Sequence, residues 1–287
     1  MSVSETLLRP QWAGGWALAR LLFGAAALYT HLKRVVHVTD ALAAPTIVFS
    51  TGPAQVADRV LLPAPAAWAL WALGLVGIFG IFRGRGFAMP GVLLWFGVTV
   101  ALVASLGLNV RVPERFLVWA VVGLLLGPLD LPSPTRAEVR PVARLYLLVV
   151  YGSLYLSTGL MKLLEEPAWR DGSALALDLV DRFHAGGPLA VLVSGSPAIC
   201  TFASWFTLTF EVGFVFFIGF RRTSAWTLVA GAMMHLGIAA LMEVGPLGYL
   251  AISLYPVLLD PDAAQAGWQE AVRRWPALGR LAGELPA

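Results

Sequence analysis

Charge and cysteine are what this sequence has least of. Only 13% of its 287 residues are Asp, Glu, Lys or Arg, about half the usual share for a soluble domain, so a water-facing surface of ordinary composition cannot be built from it. Cys200 is the single cysteine, which excludes an intramolecular disulfide, a thiolate zinc site and a haem-attachment motif. The net charge of +3 is spread over short stretches without a run of Lys or Arg that would track a phosphate backbone, so nucleic acid is not an expected partner. Phosphate-binding glycine loops, dinucleotide fingerprints and nucleophile elbows are missing as well. The glycine-containing stretch Gly84 to Gly91 (GRGFAMPG) reads as a turn between two helices. Of the four histidines, His31 and His37 fall about 120° apart on any helix, a poor arrangement for joint metal ligation, and no metal is expected. Both read as loop residues, as does His184.

What is abundant is apolar. Hydrophobic residues make up 58% of the chain, with eleven Trp, fifteen Phe and a mean hydropathy of +0.76. Twenty-nine Gly and nineteen Pro suit packed lipid-facing helices, where small residues let backbones approach and neighbours re-satisfy broken hydrogen bonds. The fold class that follows is all-α, a polytopic membrane helix bundle of about eight (seven to nine) transmembrane helices. The apolar segments run roughly 14–31, 65–82, 87–109, 116–129, 143–163, 199–220, 224–242 and 245–259. Segments 116–129 and 245–259 are short for a full crossing and are open to being buried or tilted helices. Arg20 interrupts the first segment, which favours a retained helix over a cleaved signal.

One transmembrane domain over 1–261 is expected, followed by a short amphipathic tail over 262–287 at the membrane surface. With the N-terminus inside, ten Lys and Arg fall on the inner side and seven on the outer, which favours N-in and C-in. The loops 32–64 and 164–198 are then outside. The second contains apolar pieces near 173–180 and 188–193 and is expected to fold back as a lid-like or re-entrant element.

Two buried charges carry the functional signal. Glu211 and His235 each lie about eleven residues from the Arg221 to Thr223 turn, about 17 to 20 Å along their helices, so they can meet at one depth. An acid at mid-bilayer costs ~2.5 to 3.5 kcal/mol, so it normally faces protein, pairs, and marks a site. A proton relay and a mutual pair locking two helices are both open readings. Arg20 is a candidate counter-charge to Glu211 or to an anionic ligand, or else a snorkelling side chain. On the fifth segment Arg144, Tyr151, Tyr155, Thr158 and Lys162 fall within about 40° of the Arg144–Lys162 line, an arc of about 60°, one polar stripe on an apolar helix. Lys162 is either a snorkelling lysine or a desolvated general base. Asn109 and Arg111 look like a capped helix end that can face the site.

The stretch Tyr155 to Leu175 (YLSTGLMKLLEEPAWRDGSAL) resembles the signature of the vitamin K-dependent gamma-carboxylase and its bacterial relatives, the HTTM-domain proteins. The carrying positions are Tyr155, Thr158 with Gly159, Lys162 with Leu163, Trp169 and Gly172. Trp16 to Gly24 (WALARLLFG), Asn109, and the Glu211 helix followed by Met234 to Gly245 (MHLGIAALMEVG) resemble the family in the same order, so the likeness spans roughly 10–260. Met161, Val110 and Leu236 depart from its pattern. The resemblance implies a bacterial inner-membrane protein with its site open to the non-cytoplasmic side. It further implies that Lys162 is the base, on a reduced quinone or other lipid-soluble substrate, with Glu211 and His235 completing the catalytic set. Tyr151, Tyr155, Thr158, Trp169, Arg20 and Asn109 are candidate substrate-binding residues. A maturation or assembly partner holding a secreted peptide or protein client, and a small transporter or proton path, are the competing expectations.

Overall fold

In the computed structural model the described residues are 11–43, 64–84, 86–105, 112–129, 138–139, 141–181, 187–242 and 247–276. The protein is an all-α membrane helix bundle. Its main helices are α1 (Ala13–Ala43), α2 (Ala64–Arg83), α3 (Ala88–Ser105), α4 (Val112–Leu125) and α5 (Val142–Leu164). Three short helices follow, α6 (Ala168–Asp171), α7 (Ser173–Val180) and α8 (Pro188–Ser194), then the long pair α9 (Pro197–Phe217) and α10 (Arg221–Leu241). The chain closes with α11 (Leu247–Ser253), α12 (Tyr255–Leu258) and α13 (Pro261–Arg274). Two-residue strands β1 (Gln11–Trp12) and β2 (Glu138–Val139) pair antiparallel ahead of α1 and α5. Among the described residues, α2, α5, α9 and α10 are long and apolar enough to cross a bilayer by length and composition, and shorter apolar helices lie in α3 and α4.

Lipid gives helices no hydrophobic reason to associate, so close packing must hold them. Glycine supplies it. In α2, Gly77 lies so near α3 that a Cβ there would sit 2.8 Å from the Trp95 nitrogen and 2.9 Å from the Gly91 carbonyl oxygen. The α2–α3 turn needs Gly84 and Gly86 in left-handed backbone, at φ 63° and 84°, which matches the expected glycine turn. Between α5 and α9 the same device appears at Gly159, whose Cβ would lie 2.8 Å from the Glu211 Cβ. Trp16, Phe23, Trp95, Tyr151 and Phe214 fill the bundle interior.

One element differs from the sequence reading, and another takes one of the alternatives it left open. First, α1 runs on to Ala43, so residues 32–43 are helical and not the start of a loop, and His31 and His37 are helix residues. Falling hydropathy marks where lipid ends, not where hydrogen bonding ends, and nothing between His31 and Ala43 breaks a helix. His31 is fully buried. Its Nε2 lies 2.8 Å from the Trp71 carbonyl oxygen, Trp71 Nε1 donates to the His31 carbonyl at 3.1 Å, and the rings stack at 5.3 Å. The pair clasps α1 to α2. Second, within the segment 245–259, residues 247–259 form a broken helix inside the bundle. Leu250, Leu254 and Leu258 are fully buried in it, and Pro256, which has no N–H to donate, opens its second piece.

The C-terminal α13 begins at Asp260, whose carboxylate accepts from the Ala263 N–H at 3.2 Å, with Pro261 in the first turn. Asp260 is almost completely buried and faces Arg221 at 3.7 Å. Asn109, Arg111 and His184 lie outside the described residues.

Candidate functional site

The polar stripe of α5 does face protein. Arg144 and Tyr151 are fully buried and Tyr155 nearly so, Thr158 is half-buried, and Lys162 closes the row at the α6 end. Helical periodicity alone puts them on one face, and α9 and α12 pack against α5 there, with His235 of α10 reaching Tyr155.

At the Lys162 end the stripe meets α9. Lys162 Nζ donates to Glu211 Oε1 at 2.6 Å and to Oε2 at 2.9 Å, a bidentate charge-assisted contact between side chains only 18% and 8% exposed. The Trp169 ring, on α6, lies 4.7 Å from the same nitrogen, within cation–π range. The ammonium is thus held between a carboxylate and an aromatic face. The Thr158 hydroxyl borders the carboxylate and donates to the Leu154 carbonyl at 2.8 Å.

Two turns below Lys162, Tyr155 gathers the rest. Its hydroxyl lies 2.7 Å from His235 Nε2 and 3.0 Å from the Tyr255 hydroxyl. A phenol has a single proton, so a Tyr155 that donates to Nε2 must accept from Tyr255, which orders the series as Tyr255 to Tyr155 to His235. Phe210 and Phe214 wall the ring at 5.0 and 4.9 Å between centroids. Tyr151 is separately tied down, donating to the Ala251 carbonyl at 2.7 Å.

Glu211 and His235 therefore do converge on one region, but not on each other: Glu211 bonds Lys162, and His235 bonds Tyr155. The mutual pair read from spacing is replaced by two separate pairs, because the rotation of each helix about its own axis, invisible in spacing, aims the two side chains differently. Arg20 lies elsewhere. Its Nη1 donates to the Leu129 carbonyl at 3.0 Å beside Gly84, while the Glu211 carboxylate is taken by Lys162. Tyr255 is the participant that sequence reading missed. Its one signal is a Tyr before a Pro in a segment too short to cross a bilayer. Among the described residues no group of three His, Cys, Asp or Glu side chains is placed to hold a metal ion.

Removing the Tyr155 hydroxyl tests this geometry. Tyr155→Phe leaves His235 Nε2 and the Tyr255 hydroxyl facing a ring with nothing to bond, at a cost of about 1 to 3 kcal/mol. Tyr255→Phe deletes one bond at the edge of the series and should cost ~1 kcal/mol. Thermal unfolding in detergent measures both, and equal effects would mean that Tyr155 is not the hub.

An open apolar groove of about 510 Å³ runs between α4 and α5, with Phe116 and Trp119 on one wall and Val149, Ser153, Leu154 and Thr158 on the other. Thr158, at its polar end, stands one helical turn before Lys162. The volume is within the range of small-molecule sites.

No protein-family model, curated protein or solved structure matches the chain.

Proposed function

We propose that the chain is a membrane-embedded proton-transfer enzyme of the HTTM, gamma-carboxylase-like kind, in which Lys162 takes a proton from the hydroxyl of a lipid-soluble phenol such as a quinol. The observation that carries this reading is the half-buried Lys162 amine, gripped by Glu211 and capped by Trp169, one turn beyond the polar end of an apolar groove. The α6 side is taken as the non-cytoplasmic side.

The chemistry balances within these residues. Out of water neither charge of the pair is well solvated, so the ion pair and the neutral pair come closer in energy. The Nζ proton passes to a Glu211 oxygen. The freed amine lone pair then takes the substrate O–H proton, and that bond's electrons remain on the substrate oxygen. Net, one proton has moved from substrate to Glu211, and the new anion replaces the carboxylate as counter-charge to the ammonium. Trp169 shields the site and adds attraction for the cation. To orient the substrate oxygen, the Thr158 hydroxyl turns its proton from the Leu154 carbonyl to the substrate.

The hydrogen-bonded series Tyr255, Tyr155 and His235 favours a second reading, a proton path through the bundle. The two separate on substitution. The enzyme needs Lys162, whereas the path needs Tyr155 and His235 and is indifferent to Lys162.

The test uses the full chain in nanodiscs with a short-chain naphthohydroquinone as probe, binding and ionisation being followed by absorbance. Wild type should bind it and produce the bound anion at a pH where the free probe is neutral. Lys162→Arg should still bind but not ionise it, because a guanidinium keeps its proton. Ser153→Trp, which fills the groove, should abolish binding. Ionisation by Lys162→Arg equal to that of wild type would overturn the proposal.

A further inference from the structure

The segment that follows α5 presents a surface that water does not explain. α7 and α8 pack on the first turns of α9 around a small core of their own, in which Leu179, Ala190 and Cys200 are buried. The seam is tight. Gly172 takes left-handed backbone at φ 84° and a Cβ there would meet the Thr201 nitrogen at 2.5 Å, the Thr201 hydroxyl donates to the Asp171 carbonyl at 2.7 Å, and Trp205 Nε1 donates to the Arg170 carbonyl at 2.9 Å. Outward from this seam stand Leu177 at 66% exposure, Leu189 at 51%, Val191 at 59%, Leu192 at 73%, Ile199 at 50% and Phe202 at 74%. A contiguous apolar patch of this kind marks an interaction surface.

From this patch we infer that α7 and α8 form an interfacial membrane anchor: they lie in the headgroup and acyl boundary with the Leu177, Leu189, Val191 and Leu192 edge among the acyl chains, so α6, which packs on α7 and carries Trp169 against Lys162, is joined to an element held by lipid.

Three observations favour lipid as the occupant. The patch is continuous with the outward face of α9, a helix of 21 residues whose length of about 31 Å matches a hydrocarbon core. Side chains beside its first turns are therefore flush with the apolar belt. The outward positions of α8 and of the first turns of α9 carry no charge, Asp178 and Asp181 at the α7 end are partly buried and engaged, and the exposed acids Glu165, Glu166 and Asp171 gather on the α5–α6 side. Trp205, half-exposed, has its indole nitrogen satisfied by a backbone carbonyl, so its ring can meet acyl chains without an unmet donor. An anchor of this kind does not depend on the chemistry at Lys162, since lipid would hold α7 and α8 whatever the site binds.

The experiment places a nitroxide at Leu192→Cys or Val191→Cys, and for comparison at Asp171→Cys, in the full chain in phosphatidylcholine liposomes. Cys200 is left in place, because at 1% exposure it is shielded from the label, and wild type carried through labelling is the blank. Collision with oxygen, which concentrates in acyl chains, is compared with collision with a water-soluble nickel chelate. The ratio of oxygen to nickel accessibility should be several-fold higher at 192 than at 171, and Val191→Cys should repeat the result if Leu192→Cys folds poorly. Equal nickel access at 192 and 171 would place the patch in water and overturn the inference. Exclusion of both reagents at 192 would also overturn it, by showing a protein contact, either a client chain or a second copy.

Discussion

Glu211→Leu lowers the thermal unfolding temperature more than any other single change at the site, because it strands the Lys162 ammonium among Trp169, α5 and α9. Breaking a buried pair by removing one partner costs about 3 to 5 kcal/mol. The side chains are 18% and 8% exposed, so the small values of surface pairs do not apply. The double replacement Lys162→Met with Glu211→Leu removes both charges and should recover most of the loss, since an apolar pair of similar volume is often as stable as a buried ion pair. That double variant is then folded and unable to ionise the naphthohydroquinone. Unfolding of Glu211→Leu at the wild-type temperature would mean that the pair is screened by water, and the site would lose its basis.

The second large effect lies one turn back, at Gly159. A Cβ there would sit 2.8 Å from the Glu211 Cβ, 3.0 Å from Val212 Cγ2 and 3.1 Å from the Val212 nitrogen. Two of these are rigid, one being backbone and one the first atom of a side chain, so α5 and α9 must part. Gly159→Ala should cost about 1 to 3 kcal/mol, and Gly159→Leu more. Either change should weaken ionisation of the probe, because it moves Glu211 away from Lys162. Gly97→Ala is the control. Nothing lies within 4 Å of a Cβ at that position, so the better helix propensity of alanine should leave stability unchanged or raised by up to ~1 kcal/mol. Equal losses at 97 and 159 would show that helix flexibility, not close approach, decides the result.

Several features were legible from residue order. The polar stripe on α5 was, because a repeat of three, four and seven positions survives in any packing that keeps the helix straight. The helices at 173–180 and 188–193 were legible as apolar pieces within a polar connection, and α7 and α8 occupy them. The turn at Gly84 and Gly86 was legible because few other residues accept its backbone angles. His31 was not. Polar neighbours made it resemble a loop residue, and only the position of Trp71 on α2, forty residues away, gives its ring a partner. The segment 245–259 was ambiguous, since a short apolar run has the same composition whether it faces lipid or fills a bundle.

Composition and periodicity by themselves determined that this chain is a multi-pass bundle of helices, where most of those helices lie, and that Lys162, Thr158, Tyr155, Tyr151 and Arg144 share one face. These are consequences of transfer free energy and of the geometry of a single helix, both of which act locally along the chain. Only the tertiary structure decided that Lys162 meets Glu211 across 49 positions, and that Tyr155 meets His235 across 80 and Tyr255 across 100. Those meetings depend on how far each helix is turned about its axis and how closely glycine lets it approach its neighbour. A few degrees of rotation or an ångström of separation exchanges one partner for another.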